Sequence, residues 1–289
     1  MAMDSMWINA PAKINIGLDV LGKREDGYHE VKMIMQSIRL FDRLTLTRKK
    51  DPGVRLTTNL KFLPTDDNNL IVKSAKFLIK EFGLEGGLLI NLEKRIPVAA
   101  GMAGGSTDAA STMIAINQMY DLGMSNSQLM KRAVKIGADI PYCIMKGTAL
   151  AEGIGEKLST IPKLPNCQIL IIKPKIHVST RETYSRLVLD ENTVHPDIDL
   201  MIEDMKKRDI HSLCSHLGNV LESVTIPSYP EIQSIKDFML ENGAEGSLMS
   251  GSGPTVFGIY TDKDAAIKAK EKALDTFEKC FAFVTDLYR

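Results

Sequence analysis

The stretch that most constrains this chain is Arg95-Ile96-Pro97-Val98-Ala99-Ala100-Gly101-Met102-Ala103-Gly104-Gly105-Ser106-Thr107-Asp108-Ala109-Ala110. Before it, Leu88, Ile90 and Leu92 alternate with Leu89, Asn91 and Glu93, the pattern of a half-buried strand. After it, Ala109, Ala110, Met113, Ile114, Ile116, Asn117 and Tyr120 recur at helical spacing, and the helix is expected to stop near Gly123. Gly101, Gly104 and Gly105 let the backbone bend and bring its N–H groups close to a ligand, while Ser106 and Thr107 sit where the helix would begin. Free N–H groups and the positive end of a helix dipole together favour an anion. A tight strand-to-helix turn with no ligand is the plainer reading of the same residues, and both stay open at this point.

The loop fails the tests for two common phosphate sites. A Walker A turn needs Lys before Ser or Thr, and Gly105 stands there; a dinucleotide fingerprint needs GxGxxG, and this chain has Gly101-x-x-Gly104-Gly105. Basic and acidic residues balance at 36 each, which argues against a nucleic-acid surface built on phosphate attraction. The four cysteines, Cys143, Cys167, Cys214 and Cys280, are scattered without a CxxC pair, so neither a zinc knuckle nor a disulfide framework is expected. No basic-then-apolar leader opens the chain and no apolar run reaches the length of a membrane span, so a cytoplasmic protein with no membrane partner is expected.

The 289 residues suit two domains better than one, and the Pro162 to Pro165 stretch suggests a division into 1–160 and 161–289. Trp7 to Val20, Val31 to Ile38 and Asp42 to Thr47 read as strands of an antiparallel layer, joined by the polar segment Leu21 to Glu30. Asn69 precedes a helical face of Leu70, Ile71, Ala75, Leu78 and Ile79. A further helix is expected over Asn126 to Lys135, capped by Ser125, with Pro141 keeping Ile140 extended and Asp139 in a non-helical connection. The second half predicts a strand over Gln168 to Lys173 and helices over Arg181 to Leu189, Ile198 to Lys206 and His211 to Leu221. A helix over Pro230 to Asn242, strands over Gly246 to Met249 and Thr255 to Tyr260, a helix over Lys263 to Phe277 and a strand over Cys280 to Leu287 complete an α+β half of split βαβ character.

With Pro11-Ala12-Lys13-Ile14-Asn15 before it and Met249-Ser250-Gly251-Ser252-Gly253-Pro254-Thr255 after it, the loop resembles the second signature of the GHMP small-molecule kinase superfamily. Arg24-Glu25-Asp26-Gly27-Tyr28-His29-Glu30 and Gly137-Ala138-Asp139-Ile140-Pro141 bring the chain close to the branch of that superfamily whose alcohol substrate carries a cytidine diphosphate group. The resemblance runs from about Ile8 to Phe257. It implies an α+β, two-domain GHMP kinase fold: an amino-terminal domain like domain 2 of ribosomal protein S5, a ferredoxin-like carboxy-terminal domain and an active site between them. It also implies ATP as phosphoryl donor, Mg²⁺ with the ATP, and a monomer or homodimer.

Residue by residue, the resemblance implies that Asp139 orients the substrate hydroxyl and accepts its proton, while Lys13 keeps Asp139 ionised and stabilises developing negative charge. Tyr28 and His29 match positions lining the cytosine pocket, Tyr184 is a second wall, and Asn15 and Gly251 face the polyol or its phosphates. The nucleotide side comprises Asn69, Lys94, Pro97, Ala99, Ala100, Gly101, Met102, Ala103, Gly104, Gly105, Ser106 and Thr107, with the backbone from Gly101 to Thr107 on the phosphates. For Asn69 a helix cap is an equal alternative. Ala99, Ala100 and Ala103 replace glycines common in that family and Thr107 replaces a common serine. Asp108 poses an electrostatic problem, since it suits the helix dipole yet repels phosphate unless it points aside or Mg²⁺ intervenes; no metal ligand is assigned. On residues alone, an acceptor such as mevalonate, homoserine or a sugar, and a nucleotide-binding protein without catalysis, stay open.

Overall fold

The structure is a computed structural model that describes residues 3–288. The chain forms two compact units, interleaved in sequence: one holds the chain up to Ala12, Leu40–Val98 and Ala103–Met145, the other Lys13–Arg39, Ala99–Met102 and the chain from Lys146.

Two long strands, β1 (Ser5–Lys23) and β2 (His29–Lys49), contribute to both units. The two strands expected over Val31 to Ile38 and Asp42 to Thr47 are a single one. The reason is legible: Ile38, Leu40, Asp42, Leu44 and Leu46 are all buried, so the period of two runs on without a turn residue. In the first unit the second half of β2 pairs antiparallel with β4 (Gly87–Glu93), which lies parallel to β3 (Gly53–Thr58). Strand β3 was not expected, being short, but Val54 and Leu56 do alternate with polar residues.

Four helices complete this unit. Helix α1 (Leu70–Phe82) begins where the Asn69 side chain accepts from the Ile71 N–H at 2.9 Å, and ends at Gly83, whose left-handed backbone donates to the Ile79 carbonyl. Ile71, Val72, Ala75 and Leu78 are its buried face, and it packs on α2 (Gly104–Met119). Helix α3 (Asn126–Ala133) carries a capping box between Ser125 and Gln128. Helix α4 (Ile140–Met145) overturns the extended reading of Ile140: a proline in the first helical turn sits where no N–H is needed. Asp139 stays outside the helix, half-buried, its carbonyl accepting from the Cys143 N–H at 3.1 Å.

In the second unit the first half of β2 pairs with β5 (Thr148–Gly153), which pairs with β6 (Lys157–Thr160). A four-stranded antiparallel sheet follows from β7 (Gln168–Lys173), β8 (Gly246–Met249), β9 (Val256–Tyr260) and β10 (Phe281–Asp286), in the order β10-β7-β9-β8. Ile169, Leu170, Ile171 and Ile172 are buried on both faces of the central strand β7, a contribution of about 1.5–3 kcal/mol for each side chain. Helices α5 (Thr180–Arg186), α6 (Ile198–Lys207), α7 (Ile210–Ser215), α8 (Glu222–Ser228) and α9 (Glu231–Glu241) lie between β7 and β8 in the chain, and α10 (Lys263–Thr276) joins β9 to β10. With α9 and α10 packed on the sheet, this is the ferredoxin-like order expected.

The helix expected over His211 to Leu221 stops at Ser215. Tertiary bonding ends it: the Gly218 carbonyl accepts from Leu18 N–H at 2.9 Å, and the Asn219 carboxamide donates to the carbonyls of Met249 and Gly251, each at 2.8 Å. No helix among the described residues is long and apolar enough to cross a membrane.

Candidate active site

In the second unit, a knot of hydrogen bonds gathers Lys13, Asn15, Gly101 and Ser250. The ammonium of Lys13, a residue 6% exposed, donates to the Asn15 carboxamide oxygen at 2.6 Å and to the Gly101 carbonyl at 3.0 Å. The Lys13 N–H bonds the Met102 carbonyl at 3.2 Å, so strand β1 and residues 101–102 are tied by main chain as well. Ser250 donates to the same Gly101 carbonyl at 3.0 Å and accepts from the Asn15 N–H at 3.3 Å. A Cβ on Gly101 would stand 2.1 Å from the Ser250 carbonyl oxygen, and its φ of +69° is left-handed, so only glycine fits there. Around this knot, Asn219 fixes residues 249–251 from one side, and the Ser252 hydroxyl meets the Thr180 hydroxyl at 2.8 Å. Asn219 and Thr180 were not among the expected residues; the Gly218-Asn219 pair inside an apparent helix was the turn signal that could have found the first.

The same unit places His29 and Tyr184 together, their ring centroids 5.1 Å apart and the planes tilted by 41°. Tyr28 is exposed beside them, 58% accessible, so its ring offers a free face. Burial, with Lys23 adding to it, lowers the His29 imidazole below its ordinary value. A neutral ring keeps one donor and one acceptor, the pair a base edge needs. If this pair holds cytosine, affinity for a cytidine nucleotide should stay level as pH falls to about 6.5 and drop only below that, as the ring takes a proton. The sign follows from the lowered value: the form that binds is lost as pH passes down through it. Calorimetric titrations from pH 8 to 5 check this, and affinity that rises on acidification contradicts it.

In the first unit, helix α2 starts at Gly104 with no side-chain cap, leaving the first-turn N–H groups to a ligand or solvent. The helix thus begins before Ser106, earlier than the sequence reading placed it. Ala103, just before it, is left-handed at φ +52°, as is Ala99 of the other unit at +51°. Ala99 and Ala103 therefore hold backbone angles costing roughly 1–2 kcal/mol each, which surrounding bonds must offset. The Thr107 hydroxyl is fully buried and has no hydrogen-bond partner in the protein. An uncapped helix start, a glycine cradle and an orphaned hydroxyl fit an anionic group such as a triphosphate.

Asn69 and Lys94 have partners already. Asn69 caps α1 and donates to the Pro64 carbonyl at 2.8 Å. The Lys94 ammonium, buried under Gly104, lies between Asp42 and Asp108, 2.8 Å from the latter. Burial works against this ammonium, but Asp108 and Asp42 outweigh it and raise its proton affinity. Burial pushes the Asp108 carboxyl well above its ordinary value; Lys94 pulls it down and Asp42, sharing the one ammonium, pushes it up again. Asp108 therefore points aside, into the protein, which resolves its conflict with phosphate. Among the described residues no group of three or more His, Cys, Asp or Glu side chains could hold a metal ion, and all four cysteines are free.

Comparison with known proteins agrees with this geometry. Residues 69–147 match the GHMP kinases N terminal domain and residues 201–279 the GHMP kinases C terminal domain. A protein of Lachnoclostridium phytofermentans named 4-diphosphocytidyl-2-C-methyl-D-erythritol kinase is 52% identical over 92% of this chain and 92% of its own. A crystal structure of 4-(cytidine 5'-diphospho)-2C-methyl-D-erythritol kinase superposes with a TM-score of 0.83 at 31% identity, over 98% of this chain and all of that one. A homoserine kinase from Cytophaga hutchinsonii reaches the same TM-score at 22% identity, covering 99% of this chain and 95% of that one, and shares the fold alone. The chain belongs to the GHMP kinases and, within them, to the 4-diphosphocytidyl-2-C-methyl-D-erythritol kinase family.

Proposed function

We propose that this kinase transfers a phosphoryl group from ATP to the 2-hydroxyl of 4-diphosphocytidyl-2-C-methyl-D-erythritol, within the methylerythritol phosphate route to isoprenoids. The observation that carries the reading is the knot in which the buried Lys13 ammonium is aimed by Asn15 and Gly101, on the loop that also leads into an uncapped helix start. Phosphoryl transfer needs an aligned acceptor and a fixed positive charge more than covalent chemistry from the protein.

ATP supplies the phosphoryl group, and Mg²⁺ accompanies it with no protein ligand assigned. The backbone from Gly101 to Thr107 holds the phosphates, with the Ser106 and Thr107 hydroxyls as donors; Pro97, Ala99 and Ala100 shape the approach, Asn69 borders the adenine, and Lys94 supports the start of α2 from inside the protein. Lys13 balances the negative charge that grows during transfer, held in place because two acceptors fix its ammonium. Asp139 orients the 2-hydroxyl and takes its proton as the oxygen bonds to phosphorus. Tyr28, His29 and Tyr184 hold the cytosine, and Asn15 and Gly251 the polyol and its diphosphate. We propose residues 1–160 as the ATP-binding domain and 161–289 as its partner domain, in a cytoplasmic protein.

Fold likeness does not choose the acceptor, since a homoserine kinase matches as well by shape. The test is competition. Cytidine diphosphate should inhibit competitively against the alcohol and uridine diphosphate should inhibit far less, while homoserine and mevalonate give no turnover. Turnover of either amino acid or mevalonate without cytidine inhibition would replace this reading.

A further inference from the structure

We infer that Asp42 and Asp108 are positioning residues for the turn at the start of α2, acting through Lys94, an inference that rests on reading that turn as the nucleotide side.

Asp42 occupies an inward position of β2, between Leu40 and Leu44 in the buried set, and is itself 0% exposed. The alternation there would accept a leucine, and a buried carboxylate is costly unless paired and hydrogen-bonded. Its bonds show what it does. One oxygen accepts from the Arg95 N–H at 2.6 Å and the Ile96 N–H at 2.8 Å, and the other takes the Lys94 ammonium, so one side chain grips three successive residues leading into the loop. Asn59 holds the same point from the other side, its oxygen accepting from the Lys94 N–H at 2.8 Å and its amide donating to the Lys94 carbonyl at 3.0 Å.

The Lys94 ammonium then continues to Asp108 at 2.8 Å, so a pair separated by 14 residues ties the strand end to the first turns of α2. The ammonium also supports the helix start directly: a Cβ on Gly104 would lie 2.8 Å from its nitrogen. Lys94 thus bonds both Asp42 and Asp108 and underlies the first residue of the helix. Replacing a buried ionic group by apolar side chains is often neutral for stability, so stability alone gives little reason for this one. Fixed placement does, because the N–H groups and dipole of α2 act on an anion only if they are aimed. With Asp42 and Asp108 both on its ammonium and Gly104 over it, Lys94 is turned into the protein, and its part is placement.

The experiment uses the full chain. Wild-type protein is first shown to bind an ATP analogue and to turn over; binding without turnover defeats the kinase reading alone, with analogue affinity then compared across the variants, and no binding overturns the inference as well. Asp42→Asn, which keeps an acceptor for Arg95 and Ile96 but removes the charge, should raise KM for ATP about ten-fold, with kcat and KM for the alcohol changed less than three-fold, and Asp108→Asn should do the same. Asp42→Glu should recover part of the loss. A purely structural role would lower the melting temperature and leave the KM for ATP of folded protein untouched, and that result in either variant overturns the inference. If one variant fails to fold the other decides, and Lys94→Arg, which keeps the charge but cannot sit under Gly104, gives a third comparison on the same readout.

Discussion

Asp139→Asn should lower kcat by about a thousand-fold while leaving KM for both substrates within about three-fold. The carboxamide matches the carboxylate in shape and can still contact a hydroxyl, but it cannot accept the proton. Asp139 sits just ahead of α4, outside the helix and half-buried, so the substitution leaves no buried charge orphaned and the fold should survive it. Steady-state kinetics with both substrates varied make the split visible. A variant retaining a tenth or more of the wild-type kcat would remove Asp139 from the role of base and leave positioning and charge to account for the rate.

Lys94→Met should be strongly destabilising to the first unit. It leaves the buried Asp42 carboxylate without its cation and Asp108 without its hydrogen-bond donor, and breaking a buried pair by removing one partner costs about 3–5 kcal/mol. Against a typical net stability of about 5–15 kcal/mol, this is a large share, and the melting temperature should fall on the order of 10 °C. The triple change Asp42→Asn, Lys94→Met, Asp108→Asn should recover much of the loss, because no charge is then left unpaired. Calorimetry on the single and triple variants checks both parts. A Lys94→Met protein that melts with the wild type would show that the ammonium is not held as the distances indicate.

Much of the fold was legible because burial and period agree. Helices α1, α9 and α10 and strand β4 each carry a spacing that one buried face dictates, strands β7 and β8 are short runs buried on both faces, and the structure keeps all of them within a few residues. What was not legible depended on partners distant in sequence. The long strand β2 was expected as two, Val31 to Ile38 and Asp42 to Thr47, whereas Asp42 is an inward residue of one strand, satisfied by Lys94, Arg95 and Ile96 more than fifty positions on. The end of α7 depended on Asn219 reaching residues 249 and 251. Helix α4 was hidden by a proline, whose effect on the residue before it outweighed, in reading, its tolerance in a first turn.

The candidate site divides in the same way. Its residue types stood in the sequence as short islands, and Lys13, Asn15 and Gly101 are joined as a local knot. The bonds of Lys94 could not be read from spacing, since a lysine at a strand end is ordinarily solvated. An acidic residue at an inward position of an alternating strand, Asp42, was the one sequence signal for them.

The most direct measurement follows phosphorus by NMR while the purified protein is mixed with ATP, Mg²⁺ and 4-diphosphocytidyl-2-C-methyl-D-erythritol. One ADP should form for each new phosphomonoester, coupled to the carbon that bears the 2-hydroxyl, with the diphosphate bridge to cytidine intact. ATP that stays unconsumed, or a phosphate that appears on any other oxygen, would contradict the account.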